Sequence, residues 1–258
     1  MTKTITNAEL EKLESFIGYG KPNADIIFFG LEEAGGGIEN LRNRLSIEDY
    51  EYLDCKRFHL DHLKHKKKYK LHSDDENIMV NFQSVWRYMS YIMLKLGGKS
   101  EKEIFQDNSK TLRNYQNNLL GTESEKGDTL LTEIYPIPCS SLKLWGTKEI
   151  NYKEIITQYP DKNAYKKEVL PKRIKAFKNL INSNQFQAHT IICYGKTKWP
   201  EFKSFFKEFE VNFQKLNLSK PTKKGELPNG TVVYLLPFFG NGQVSYEFLD
   251  EVVKDIRS

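Results

Sequence analysis

Four short runs of apolar, β-branched and aromatic residues stand out from an otherwise mixed chain. They cover residues 24–29 before Gly30, 130–135 before Pro136, 190–194 before Gly195, and 231–236 before Pro237. Their nearly continuous apolar character predicts strands covered on both faces, as in a parallel sheet. Between them the apolar spacing turns helical. Val85, Tyr88, Met89, Ile92 and Leu96 share one face over residues 84–96, and Gly97-Gly98 ends the run. Residues 166–181, 200–209 and 246–256 repeat this pattern. Strands alternating with helices predict one three-layer α/β/α domain spanning 1–258, around a central, mainly parallel four-stranded sheet. Residues 39–80 interrupt the rhythm and read as a basic insertion, partly helical over 47–64. Residues 140–165 read as an irregular connection and 219–229 as an exposed turn.

Composition narrows the class. The chain has 258 residues, 39% of them hydrophobic, enough for a packed core. No stretch reaches the roughly 18 consecutive apolar residues of a membrane span, and the first ten residues lack the apolar segment of a secretion signal. A cytoplasmic, monomeric protein is the expectation. Cys55, Cys139 and Cys193 form no CxxC pair and read as free, buried thiols. The net charge of +5 is mild, but Arg57, Lys64, Lys66, Lys67 and Lys68 crowd into one segment. Such a run can contact phosphates, and reads equally well as a solvated face. His59, His62, His65 and His72 lie nearby with Asp61. Their spacing spreads around a helix and no HExxH is present, so neither metal nor cofactor is expected.

Open parallel sheets bind ligands beyond the carboxyl ends of their strands. That directs attention to residues 30–37, 135–141, 195–199 and 237–245. The segment leading to the first of these reads Gly18-Tyr19-Gly20-Lys21-Pro22-Asn23-Ala24-Asp25. It resembles the opening of bacterial uracil-DNA glycosylases of the iron–sulfur branch, where Gly-x-Gly-x-Pro-Asn-Ala-Asp leads into the first strand and catalytic loop. The later strands match more loosely, through Thr132-Glu133-Ile134-Tyr135-Pro136-Ile137-Pro138, Tyr194-Gly195-Lys196-Thr197 and Leu235-Leu236-Pro237. Three features depart from the family. The cluster cysteines are missing, Glu133 replaces the base-reading Asn, and Pro237-Phe238-Phe239-Gly240-Asn241-Gly242 replaces His-Pro-Ser. The resemblance implies a uracil-DNA-glycosylase-like fold and does not carry uracil with it.

The residues themselves suggest a chemistry. Cleavage of an N-glycosidic bond builds positive charge on the sugar, which a nearby carboxylate can stabilise while it orients water. Glu32 stands where the family carries Asp or Asn, with Glu33 as competitor; both read otherwise as solvated loop acids. Leu31 and the run Gly35, Gly36, Gly37 offer close backbone approach and N–H groups for phosphate. Phe82 aligns with the family's base-stacking Phe, and Phe238 and Phe239 are candidate duplex wedges; all three read otherwise as core. Asn241 replaces the missing His. An ionised Glu133 accepts without donating, which favours an amino-bearing, cytosine-type base, modified phage cytosines included. The expectation is a DNA glycosylase acting on a flipped base, in DNA repair or anti-phage defence. A nucleic-acid- or nucleotide-binding module that does not cut is the alternative, and a small-molecule hydrolase on the same sheet a third reading.

Overall fold

The computed structural model describes residues 4–58, 84–124, 128–240 and 242–258. The four expected strands are present as β2 (Ile26–Ala34), β4 (Thr129–Cys139), β5 (Thr190–Tyr194) and β8 (Val232–Leu236). They run parallel in the order β4-β2-β5-β8. The sheet is wider and mixed, which corrects the expectation of a mainly parallel four-stranded one. β1 (Gly18–Gly20) pairs antiparallel with β4 and carries β3 (Tyr52–Leu53) on its outer edge. On the far side, β7 (Thr222–Glu226) pairs antiparallel with β8, and β6 (Gln214–Leu216) with β7. Among the described residues eight strands result, ordered β3-β1-β4-β2-β5-β8-β7-β6. The added strands are short, β6 and β7 are polar, and residues 219–229, expected as a turn, include β7.

Helices cover both faces. Phe28 and Phe29 are adjacent on β2, so their side chains leave the sheet on opposite sides. Phe29 meets Phe177 on α5 (Lys162–Ile181) and Phe202, Phe205 and Phe206 on α6 (Trp199–Lys207), at 5.0–6.0 Å between ring centres. Phe28 meets Phe239, which contacts Tyr88 of α3 (Ser84–Leu96); Tyr88 in turn meets Tyr246 of α7 (Tyr246–Ile256). All these phenylalanines are fully buried. Complete burial explains why β2 reads as an unbroken apolar run. Two further helices, α1 (Asn7–Ser15) and α4 (Glu101–Asn118), begin on capping boxes, Thr6 with Glu9 and Ser100 with Glu103.

The first part of the expected insertion belongs to the domain body. Residues 38–45 form α2 (Ile38–Leu45), residues 52–53 form β3, and Arg44, Tyr50 and Phe58 are buried. The helix expected over 47–64 is absent from 47 to 54, where the chain instead reaches the sheet edge. Residues 59–83 lie outside the described residues.

Two features aim the chain at one point. The connection after β2 leads to β4 on one side and that after β5 leads to β8 on the other, so the two diverge and leave a crevice at the carboxyl ends of these neighbouring strands. In addition β4 continues through Pro136 and Pro138 to Cys139, past its expected stop. Its pairing with β2 slips between Glu32↔Tyr135 and Ala34↔Cys139. Such bulges re-aim side chains at strand ends.

Candidate active site at the carboxyl edge of the sheet

A cavity of about 410 Å³ opens where β2, β4 and β5 end, closed on one side by the segment after β8. Glu32, Glu133, Tyr194, Lys196, Lys198 and Phe238 are among its lining residues. Leu31 also lines it.

Glu133 reaches the cavity because Gly30 has no side chain. The two residues are register partners, and a Cβ on Gly30 would lie 2.0 Å from Glu133 Oε2. The carboxyl therefore rests on the β2 backbone and reaches across to β5, where Oε1 accepts from the Tyr194 hydroxyl at 3.3 Å. Oε2 is buried and has no hydrogen-bond partner among the described residues. Burial pushes the Glu133 carboxyl well above its ordinary range; the nearby Glu33 adds to this, and the Tyr194 hydrogen bond and Arg173 oppose it. That direction runs against the expectation of an ionised, acceptor-only Glu133.

Gly30→Ala is expected to keep the fold while pushing the Glu133 carboxyl from its seat, at roughly 1–3 kcal/mol for the crowding. In a Glu133→Ala background the same change should cost little, because its steric partner has gone. Thermal unfolding of the four proteins of this cycle measures the coupling. Equal costs in both backgrounds would show that Gly30 does not serve Glu133.

Glu32 is anchored from the opposite side. Its Oε1 accepts from Lys162 Nζ at 2.6 Å, and its carboxylate is almost fully buried. Lys162 begins α5 and donates also to the carbonyls of Ser141 and Leu144, at 3.0 and 2.8 Å. The three bonds tie the loop after β4 to β2. Glu32 Oε2 is left without a hydrogen-bond partner. The Cys139 thiol lies against this carboxylate; burial first, and the Glu32 charge second, push the thiol up to about 12. Cys55 and Cys193 are buried thiols as well.

Glu33 belongs to a different cluster. It pairs with the fully buried Arg44 at 2.7 Å and accepts from Tyr19 at 3.1 Å. Arg44 also donates to Asn40, Tyr50 and Tyr19, and lies over the rings of Phe16 and Phe58. Glu33 thus holds α2 against the sheet and is absent from the cavity lining. The glycine run is likewise occupied. Gly35, Gly36 and Gly37 all have φ between +94° and +116°, which suits glycine. Gly35 N–H donates to the Cys139 carbonyl and Gly37 N–H to the Tyr152 hydroxyl. A Cβ on Gly36 would collide with Tyr152 and Pro138. The run docks the loop on the end of β4, so the N–H groups of Gly35 and Gly37 are spent there and not offered to phosphate.

Of the two candidate wedges, Phe238 is 40% exposed at the cavity rim, whereas Phe239 is fully buried and stacks on Tyr194 at 5.2 Å. Phe239 is core. Phe82, Asn241, Lys66, Lys67 and Lys68 lie outside the described residues, as do His59, His62, His65 and His72. Among the described residues no three His, Cys, Asp or Glu side chains group as metal ligands, and no helix is long and apolar enough to cross a membrane.

Several site residues escaped the sequence reading. Lys196 and Lys198 line the cavity, Lys162 is buried against Glu32, and burial, with Lys162 and Lys198 adding to it, lowers the nearby Lys166. Gln243, two positions after Asn241, lines the cavity, as does the exposed Leu142. Tyr194 and the two lysines around Thr197 lie in or beside the segment after the third strand. Nothing local distinguishes them from ordinary surface residues. In comparisons with protein-family models, curated proteins and solved structures, nothing matches this chain.

Proposed function

We propose that the protein is a DNA glycosylase that accepts a flipped nucleotide in this cavity and hydrolyses its N-glycosidic bond. The observation that carries the reading is the convergence of Glu32 and Glu133, from neighbouring strands, on one cavity at the point where the sheet connections diverge. The cavity volume falls within the roughly 300–1,000 Å³ of small-ligand sites. Phe238 at the rim offers an aromatic face, and lysines at the mouth suit a phosphate backbone.

In this mechanism the C1′–N bond breaks with its electron pair leaving on the base, and positive charge grows on the sugar. Water adds through oxygen to C1′ and gives up a proton to Glu32 Oε2, the oxygen that Lys162 leaves unpaired. Lys162 fixes the other oxygen and so sets the orientation of the carboxylate. Glu133 contacts the edge of the base.

A second reading draws support from the same ion pair. Lys162 already offsets the Glu32 charge that a cationic transition state would use. A module that binds a nucleotide without cutting it would tolerate that arrangement. Duplex and single-stranded DNA carrying uracil or modified cytosines separates the two. Strand breakage at abasic sites after alkali marks the glycosylase. Saturable binding with no abasic product marks the module, and neither result would end both readings.

A further inference from the structure

Of the three carboxylates at this end of the sheet, two have a direct counter-ion. Glu32 has Lys162 and Glu33 has Arg44, both in direct ion pairs. Among the described residues Glu133 has none. Arg173 on α5 acts on it electrostatically, yet its donors go elsewhere. They reach the backbone carbonyls of Phe16, Ile17 and Glu133 and the Thr132 hydroxyl, and leave the Glu133 carboxyl alone. Among the described residues the only group bonded to that carboxyl is the Tyr194 hydroxyl, a neutral donor to Oε1. An unpaired anion so enclosed, with Glu33 and Glu32 nearby, costs far more than a neutral acid.

We propose that Glu133 presents the cavity with a hydrogen-bond donor, so that the ligand atom it reads is an acceptor, either a carbonyl oxygen or an unprotonated ring nitrogen of a base. The inference rests on reading the cavity as a base site. Tyr194 donates to Oε1, so the acid proton resides on Oε2, the oxygen without a partner. The residue then serves as a neutral carboxylic acid, able to do what an amide does at that position. The direction in which burial moves this carboxyl agrees with the geometry. The groups that face it are Glu32 and Glu33 from β2, Tyr194 from β5 and Arg173 from α5. An amino group opposite Glu133 loses its advantage, because the acid now offers a proton where the amine offers another.

Three independent measurements test this. Infrared difference spectra of the native chain against Glu133→Gln at neutral pH are expected to show a protonated carboxyl band that the variant lacks. A missing band overturns the proposal, whatever the cavity binds. The sign of the linkage supplies a second check. Glu133 binds its proton more tightly when folded than when unfolded, so its contribution to stability falls as pH rises above the ordinary value of 4.5. Thermal unfolding of Glu133→Gln should therefore lose that component of the pH slope, and an unchanged slope counts against the donor.

The binding arm uses 2′-deoxyuridine, whose O4 is a carbonyl acceptor, and 2′-deoxycytidine, whose N3 is a ring-nitrogen acceptor. Glu133→Gln should retain binding of whichever nucleoside the native chain prefers. Glu133→Met should lose about tenfold, the order of one buried hydrogen bond. Native affinity should fall at high pH and the Gln variant's should not. Equal binding by the Met variant overturns the donor role. A protonated carboxyl with no binding of either nucleoside overturns the base-site reading instead, which separates the two failures.

Discussion

Glu32→Gln is expected to lower base release by about 10²–10⁴-fold, the range spanned by positioned general bases, while DNA affinity stays nearly unchanged. The argument runs through the two oxygens separately. Oε1 is held by Lys162 at 2.6 Å, and the amide oxygen of Gln can accept the same bond. Lys162 keeps its other two acceptors, the carbonyls of Ser141 and Leu144, so the loop after β4 stays tied. Oε2 is the oxygen the mechanism uses, and the amide converts it from a proton acceptor into a donor. Shape and ground-state contacts survive, and transition-state stabilisation is lost, so the fall should appear in kcat with little change in binding. Comparable melting temperatures would establish that the variant is folded. Unchanged release by a folded variant would remove Glu32 from the mechanism. Glu33 could not take its place, since its carboxylate is committed to Arg44 and Tyr19.

The parallel centre of the sheet was legible because its strands are covered on both faces. Residues such as Phe28, Phe29, Ile191, Ile192 and Leu235 are fully buried and leave an unbroken apolar trace. The outer strands leave none. β6 and β7 carry Gln214, Lys215, Lys223, Lys224 and Glu226, and they pair through backbone groups whatever their side chains. Thr6 with Glu9 and Ser100 with Glu103 spelled out capping boxes, but the helices that follow are rich in charge and signal weakly by apolar spacing. At the site, Glu32 and Glu133 could be placed by counting from strand ends. Their environments could not. The state of Glu133 depends on a glycine one strand away and a tyrosine two strands away. The partner of Glu32 lies 130 residues further along the chain. Glu33 looked like the equal of Glu32 because both follow Gly30; only the position of Arg44 separates structural acid from site acid.

That separation leads to the largest expected effect on stability. Arg44→Leu should destabilise the protein by about 3–5 kcal/mol, the usual cost of breaking a buried pair by removing one partner. Arg44 is fully buried and its guanidinium serves Glu33, Tyr19, Tyr50 and Asn40 at once. It also lies 4.8 Å from the Phe58 ring centre and 5.3 Å from that of Phe16. Leucine preserves much of the volume, so the cost arises mainly from the Glu33 carboxylate, left with the Tyr19 hydroxyl alone. A chain this long loses roughly 2–4 °C of melting temperature per kcal/mol, so the shift is large and easily measured. The double replacement Arg44→Leu with Glu33→Leu decides the cause. It removes both charges, and should recover a substantial part of the loss, as hydrophobic replacement of buried ion pairs does. If the double variant is no more stable than the single one, the hydrogen bonds of Arg44 to Asn40, Tyr50 and Tyr19 carry the stabilisation, and the ion pair does not. Either variant leaves the Glu32–Lys162 pair untouched, so a surviving fold should retain the cavity and its ligand preference.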